Sequence, residues 1–230
     1  MIISHEHRFI FLKTKKTAGT SIELALSQLC GPYDIIAPIT ESDEALRAAG
    51  SGPRNWRRHG WWQSPRPLFK RRWLKVSPQD YGFYNHMPAA EARALLNDDK
   101  IWRSYFKFAF DRNPWDRQVS AYHFRYRRRP KPPSFADFID HDRRARLNNY
   151  EIYSLDGEVC VDFLGRFETL QEDFRHALGE IGLSFDRELP RAKTGLRKNG
   201  KPYRDYYDSH TREVVGDWYS REIKLLGYAF

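Results

Sequence analysis

Two short runs in this chain combine cations with small hydroxyl residues, the first with a glycine as well, in ways suited to gripping anions. The first is Lys16-Thr17-Ala18-Gly19-Thr20-Ser21. A strand-to-helix turn of Gly and small hydroxyl residues exposes several backbone N–H groups at a helix N-terminus, and that arrangement binds a phosphate group directly. Lys16 adds a mobile positive charge. The spacing is not G-x-x-x-x-G-K-[ST], which disfavours an ordinary nucleoside triphosphatase. The second run is Arg112-Asn113-Pro114-Trp115-Asp116-Arg117-Gln118-Val119-Ser120-Ala121-Tyr122. Arg112 leaves a strand end and Ser120 lies about two helical turns further on. A bidentate cation and a hydroxyl donor can then converge on a second phosphate.

The elements that must position these runs can be read from periodicity. Residues 8–13 form a short apolar, β-favouring run that breaks at the first motif. A helix follows, with Ile22, Leu24, Ala25, Leu26 and Leu29 apolar, and it stops at Gly31-Pro32. Residues 33–37 offer a second strand. Residues 105–110 read as a buried strand running directly into the second motif, where Asn113 is a good N-cap, Pro114 fits the first helical position and Asp116 suits the helix dipole. The helix there is expected over 115–127. Pro88 opens another through residue 96, and Ser134 caps a short one holding Phe135, Phe138 and Ile139. Residues 159–167 read as strand, 169–181 as helix, 193–204 as a polar loop and 211–226 as the last helix. Strands alternating with helices give an α/β fold with a central, mostly parallel sheet covered on both faces. A length of 230 residues suits a single domain over 1–230, carrying a Trp/Arg-rich surface insertion at about 40–80.

Lys and Arg outnumber Asp and Glu by 39 to 30, a formal charge of +9. That surplus favours an anionic partner: a nucleotide, an acidic sugar, nucleic acid or an acidic membrane surface. Charge alone does not choose among them. Two cysteines, Cys30 and Cys160, are too few for a disulfide framework, and no Cys/His cluster has zinc-ligand spacing, so no metal is expected. No apolar run approaches the roughly 18 residues of a spanning helix, and none follows a basic start, so the expected location is cytoplasmic.

Taken in order, the two motifs resemble the 5′-phosphosulfate loop and 3′-phosphate motif of sulfotransferases that use 3′-phosphoadenosine 5′-phosphosulfate (PAPS). The similarity is strongest to the carbohydrate branch, which often reads P-K-T-G-G-T-S and R-N-P-x-x-R-x-x-S-x-Y. Phe163-Leu164-Gly165-Arg166-Phe167-Glu168-Thr169-Leu170 with Asp173-Phe174 looks like that branch's R-x-E-x-L segment. Tyr203-Arg204-Asp205-Tyr206-Tyr207 and Leu226-Gly227-Tyr228-Ala229-Phe230 look like its C-terminal signature. Lys15 stands where the family commonly has Pro, and Ala18 where it has Gly, a change that fits unless the position needs positive φ.

The resemblance implies a P-loop-like three-layer fold and metal-free, in-line transfer of a sulfuryl group to a hydroxyl of a glycan or similar acceptor. Lys16 would be catalytic at the leaving phosphate oxygen, with Thr17, Ala18, Gly19, Thr20 and Ser21 around the 5′-phosphate and Arg112 and Ser120 on the 3′-phosphate. Tyr84-Asn85-His86-Met87-Pro88 looks like the G-H-x-P segment that supplies a catalytic histidine, with Asn85 in place of Gly. His86 is therefore the expected general base, or else a structural cap; His59 and His123 are weaker candidates. Arg166 with Glu168 either orients the donor or forms an ion pair. Lys198, Lys201 and Arg204 would close over the donor or stay solvated. Trp56, Arg57, Arg58, Trp61 and Trp62 would stack on sugar and meet acidic groups, or cover the core. The alternatives are a P-loop kinase-like phosphotransferase and a non-catalytic polyanion- or nucleic-acid-binding protein. Nucleic acid is not expected, because no recognition module accompanies the basic surface.

Overall fold

The computed structural model describes residues 1–57, 82–190 and 200–230. In chain order its strands and α-helices are β1 (Ile2–Ser4), β2 (Phe9–Leu12), α1 (Gly19–Leu26), β3 (Ile35–Ile36), α2 (Glu41–Glu44), α3 (Ala89–Leu96) and α4 (Asp99–Ser104). There follow β4 (Phe106–Asp111), α5 (Pro114–Tyr126), α6 (Phe135–His141), β5 (Ser154–Leu155), β6 (Glu158–Val159), β7 (Phe163–Arg166), α7 (Leu170–Gly179), α8 (Ser209–Trp218) and α9 (Ser220–Leu226).

Among the described residues five strands form the central sheet, in the order β3-β1-β2-β4-β7. The pairs β2–β4 and β4–β7 are parallel, while β1 is antiparallel to both β2 and β3. Only β1 therefore runs against the rest, which makes this a mixed α/β fold with a mostly parallel sheet. Two consecutive C-terminal strand ends, those of β2 and β4, lie side by side and carry the two anion-type motifs.

Alternation along the strands sorts side chains onto two faces. Ile10, Leu12 and Ala109 enter one core with Ala89 and Ala92 of α3, Trp102 of α4, Ile152 and Tyr153. Phe9, Phe11, Phe108 and Phe110 enter the opposite core with Ile22, Ala25 and Leu26 of α1 and Phe174, Ala177 and Leu178 of α7. Fully burying each such side chain is worth roughly 1.5–3 kcal/mol, so the sheet is fixed from both sides. A third cluster joins α5, α6, α8 and α9 through Trp115, Val119, Phe138, Val215 and Tyr219.

Several boundaries differ from the sequence reading. Pro88 is the extended N-cap of α3, with φ −60° and ψ 149°, one position before the helix it was expected to begin. The strand expected over 159–167 divides: Glu158–Val159 pairs with β5 in a hairpin, and β7 begins at Phe163. The helix expected over 211–226 is two helices, broken at Tyr219 with φ −121° and ψ 25°. Of the expected 40–80 insertion, residues 58–81 lie outside the described residues; before them come α2 and an antiparallel bridge from Arg54 to Ile36. Among the described residues no helix is long and apolar enough to cross a membrane.

Candidate active site

Residues 13–18 connect β2 to α1. Lys16 and Ala18 both sit in left-handed backbone, at φ 65° and φ 58°, on either side of Thr17. Backbone that alternates in hand turns successive N–H groups toward one concavity, the geometry of an anion nest. The position of Ala18 does require positive φ, so its Cβ costs about 1 kcal/mol or more where Gly would cost nothing. Gly19 is required for a different reason: a Cβ there would come within 2.6 Å of Lys13 Cγ. The buried Lys13 side chain runs beneath the first turn of α1 and its Nζ meets Glu23 Oε2 at 2.6 Å. Burial works against the Glu23 charge, but the Met1 amino group and Lys13 outweigh it and hold the carboxyl at about 2. The Thr14 hydroxyl donates to the Phe110 carbonyl, stapling the loop to β4. Its oxygen, 2.7 Å from Thr17 Oγ1, then accepts from Thr17.

Arg112 leaves β4 beside this loop. Its guanidinium bonds Asp116 Oδ2 through Nε at 2.8 Å and also through Nη2, and lies 3.9 Å over the Phe167 ring. Its Nη1 is 3.4 Å from the carbonyl oxygen of Lys16, so the two motifs meet. Asn113 caps α5 by accepting the Trp115 and Asp116 N–H groups at 3.0 and 3.4 Å. Asp116, Ser120 and Phe124 then recur every four residues and share one face of α5. The Lys16 ammonium lies 4.2 Å from the Phe124 ring centroid, a cation–π contact.

His86 comes from the far side, with left-handed backbone at φ 62°. Its Nδ1 is 3.0 Å from the Lys13 carbonyl oxygen. A carbonyl only accepts, so Nδ1 carries the ring proton and Nε2 the lone pair. Burial, followed by the Lys13 charge, pushes its pKa down to about 3, so the ring is neutral at physiological pH. The loop, His86, Arg112, Ser120, Phe124 and Phe167 all line one cleft of about 910 Å³.

A family model described as the Sulfotransferase family matches residues 1–229. The chain belongs to the sulfotransferase family. Membership places it among transferases of sulfuryl groups. An uncharacterized protein of Archaeoglobus fulgidus is 35% identical to this sulfotransferase over 102 residues, which is 42% of this chain and 83% of that relative. No solved structure matches.

The structure gathers Lys16, Thr17, Ala18, Gly19, Thr20, Ser21, His86, Arg112 and Ser120 around the cleft of the sulfotransferase. Arg166 is elsewhere, exposed at the end of β7 and 5.7 Å over the Tyr228 ring. Glu168 accepts the Asn113 N–H at 2.8 Å and the Tyr228 hydroxyl at 2.9 Å, so its acceptor capacity goes to the head of α5 and the C-terminal segment. Lys201 donates to the Asp205 carbonyl at 2.8 Å, and Arg204 lies 5.0 Å from the Tyr203 ring, both outside the cleft lining. Trp56 packs against the α3–α4 core and Arg57 lies 5.2 Å from its ring. His123 Nε2 is 2.9 Å from the Tyr206 hydroxyl. Arg58, His59, Trp61, Trp62 and Lys198 lie outside the described residues.

Sequence reasoning missed Asp111, Phe124 and Asn149. Asp111 is a fully buried carboxylate that accepts the Arg112 N–H and the Tyr153 hydroxyl, each at 2.8 Å, as well as a guanidinium N–H of Arg117. Arg117 is also fully buried; burial opposes its charge, but Asp111, Tyr219 and Glu222 more than compensate and raise its pKa. The available signal was an acidic residue directly after the apolar stretch Phe108-Ala109-Phe110. Phe124 follows from Asp116 and Ser120 by helical spacing. Asn149 carries no local signal, being 134 positions from its partner Lys15.

Proposed function

We propose that this sulfotransferase moves the sulfuryl group of PAPS to a hydroxyl of a carbohydrate-like acceptor by in-line displacement, on a P-loop-like scaffold. The observation that carries the reading is the 3.4 Å approach of Arg112 Nη1 to the Lys16 carbonyl. That approach supports a reading in which a nest of N–H groups and a guanidinium share the two phosphates of one nucleotide. The residues present fit such a donor. Thr17, Ala18, Gly19, Thr20 and Ser21 supply amides and hydroxyls for the 5′-phosphate, and Arg112 with Ser120 supplies charge and a hydroxyl for the 3′-phosphate.

The donor supplies an activated sulfur whose bond to a phosphate oxygen can break. Lys16 carries the charge that meets the negative charge developing on that oxygen, and its cation–π seat on Phe124 holds the ammonium at the cleft wall. His86 Nε2 takes the proton of the acceptor hydroxyl as its oxygen bonds to sulfur. Adenosine 3′,5′-bisphosphate leaves, the acceptor becomes a sulfate ester and His86 carries the proton. A nearby anion favours imidazolium, so a bound donor raises the basicity of His86 from its low value. The guanidinium groups of Arg125 and Arg144, both on the cleft lining, suit an acidic group of the sugar.

The test has two stages. Adenosine 3′,5′-bisphosphate should raise the melting temperature without Mg²⁺, and far more than ATP does. Labelled PAPS incubated with a panel of hydroxylated acceptors should then give a product heavier by one sulfuryl group. Stabilisation by ATP–Mg²⁺ or RNA, with none from the bisphosphate, would overturn the reading.

A further inference from the structure

Asn149 is fully buried and belongs to neither phosphate motif. Its carboxamide pairs with both backbone polar groups of Lys15, which belong to the two peptide groups flanking the Lys15 Cα. Oδ1 accepts the Lys15 N–H at 2.9 Å, and Nδ2 donates to the Lys15 carbonyl at 2.9 Å. Nδ2 also reaches Asp111 Oδ1 at 3.3 Å, the same oxygen that accepts the Arg112 backbone N–H at 2.8 Å. One side chain therefore bridges the loop that follows β2 and the carboxylate that ends β4. The bridge is itself anchored. The Asn149 N–H donates to the Leu147 carbonyl at 3.0 Å, its carbonyl accepts from Ile152 at 2.9 Å, and the Leu147 N–H donates to the Tyr219 hydroxyl at 2.7 Å.

The residue type is dictated by this surrounding. The Lys15 N–H only donates, whereas the Lys15 carbonyl and the Asp111 carboxylate only accept. A carboxamide alone among small side chains presents an acceptor and a two-proton donor side by side. A carboxylate of the same shape would turn lone pairs toward two acceptors, and leucine would leave buried polar groups without partners. Lys15 immediately precedes Lys16, whose φ of 65° swings the chain into the nest. A change in the backbone dihedrals of Lys15 therefore moves Lys16 and the N–H groups behind it together.

We infer that Asn149 is a positioning residue that sets the phosphate loop relative to Arg112 by bonding both the Lys15 backbone and Asp111. The inference rests on the reading of this cleft as the donor site. The protein should be compared with its Asn149→Leu and Asn149→Asp variants in three measurements: calorimetric titration with adenosine 3′,5′-bisphosphate, turnover with PAPS, and amide hydrogen exchange over residues 13–21. Misplacement of reacting groups by about 1 Å can cost about 100-fold, so Asn149→Leu should lower kcat by roughly 10- to 100-fold. It should also weaken bisphosphate binding and speed exchange in the loop, with acceptor KM unchanged.

Asn149→Asp should show a defect that shrinks as pH falls, because protonating the introduced carboxyl restores a donor. Should Asn149→Leu fail to fold, that pH-dependent recovery carries the test. A folded Asn149→Leu protein with unchanged affinity, kcat and exchange overturns the inference, as does an Asn149→Asp defect that ignores pH. Failure of the unaltered protein to bind the bisphosphate would instead strike the donor reading, and loop exchange would still report whether Asn149 holds the loop.

Discussion

The β2–α1 loop and the β4–α5 junction lie next to each other and suit the same kind of ligand, yet they are built differently. The loop uses backbone. Its N–H groups are aimed by left-handed residues at Lys16 and Ala18, neither of them glycine, and the strain is held by side-chain staples from Thr14 and Asn149. The junction uses side chains on relaxed backbone. Asn113 caps the helix, Pro114 fills the first position, and Arg112 is aimed by Asp116 one turn away. A nest of strained backbone makes a precise but costly anion seat, whereas a capped helix makes an inexpensive one whose charge is aimed by side-chain contacts. The groups assigned to the chemistry also gather on the strained side, since His86 is oriented by the carbonyl of Lys13.

That contrast predicts a division between rate and affinity. The largest effect is expected for His86→Ala, which should lower kcat by about 10²- to 10⁴-fold while bisphosphate affinity survives. Steady-state kinetics with a titration alongside measures both. Because His86 in the free protein stays neutral down to about 3, the pH profile of kcat/KM for PAPS should lack the acid limb near 6.5 of an ordinary histidine base. An acid limb near 6.5 that disappears in His86→Ala would break this account.

Lys16→Ala comes next, with kcat expected to drop roughly 10²- to 10³-fold, the usual cost of losing one group that meets developing charge. Full turnover in that variant would remove the loop's chemical role. Arg112→Ala should act on the other side of the comparison. Losing a charge-assisted hydrogen bond costs about 1.5–3 kcal/mol, so bisphosphate affinity should weaken roughly 10- to 150-fold, with a smaller change in kcat. Equal losses of kcat and affinity in both variants would erase the distinction between the two regions.

Smaller effects concern stability. Ala18→Gly relieves the left-handed strain but loosens the unfolded chain, leaving a gain of about 0.5–1 kcal/mol and a melting point higher by roughly 1–4 °C. The depressed pKa of His86 has a definite sign. Between about 3 and the ordinary 6.5 the unfolded chain binds the proton that the folded one refuses, so its contribution is intact above 6.5 and drains away as pH falls toward 3. Melting curves of the protein and of His86→Gln across that range should converge at the acid end.

Much of the scaffold was legible because local and tertiary preferences agree. The apolar run before Arg112 and the Asn-Pro cap after it place β4 and α5 to within a residue. The break at Tyr219 was hidden, because residues 211–226 keep a helical pattern straight through it. Burial of Tyr219 decides it, since its hydroxyl serves Gln118 and the Leu147 N–H from other parts of the chain. β1 was missed for the opposite reason: three residues carry too little periodicity to mark a strand until β2 and β3 flank it. Within the site, cation and hydroxyl positions were readable as motifs, but the left-handed backbone at Ala18 was not, because alanine does not announce it.

By itself the sequence determined the chemical inventory: which strand ends carry cations, which turn is rich in small donors, and that strands and helices alternate. Those are properties of residue type and short spacing, which survive without a fold. Only the tertiary structure decided that Lys16 meets Arg112, that His86 is neutral with its proton on Nδ1, and that Asn149 bridges the Lys15 backbone and Asp111. Each depends on burial and on partners distant in the chain, where removal of water makes a single carbonyl or carboxylate decisive.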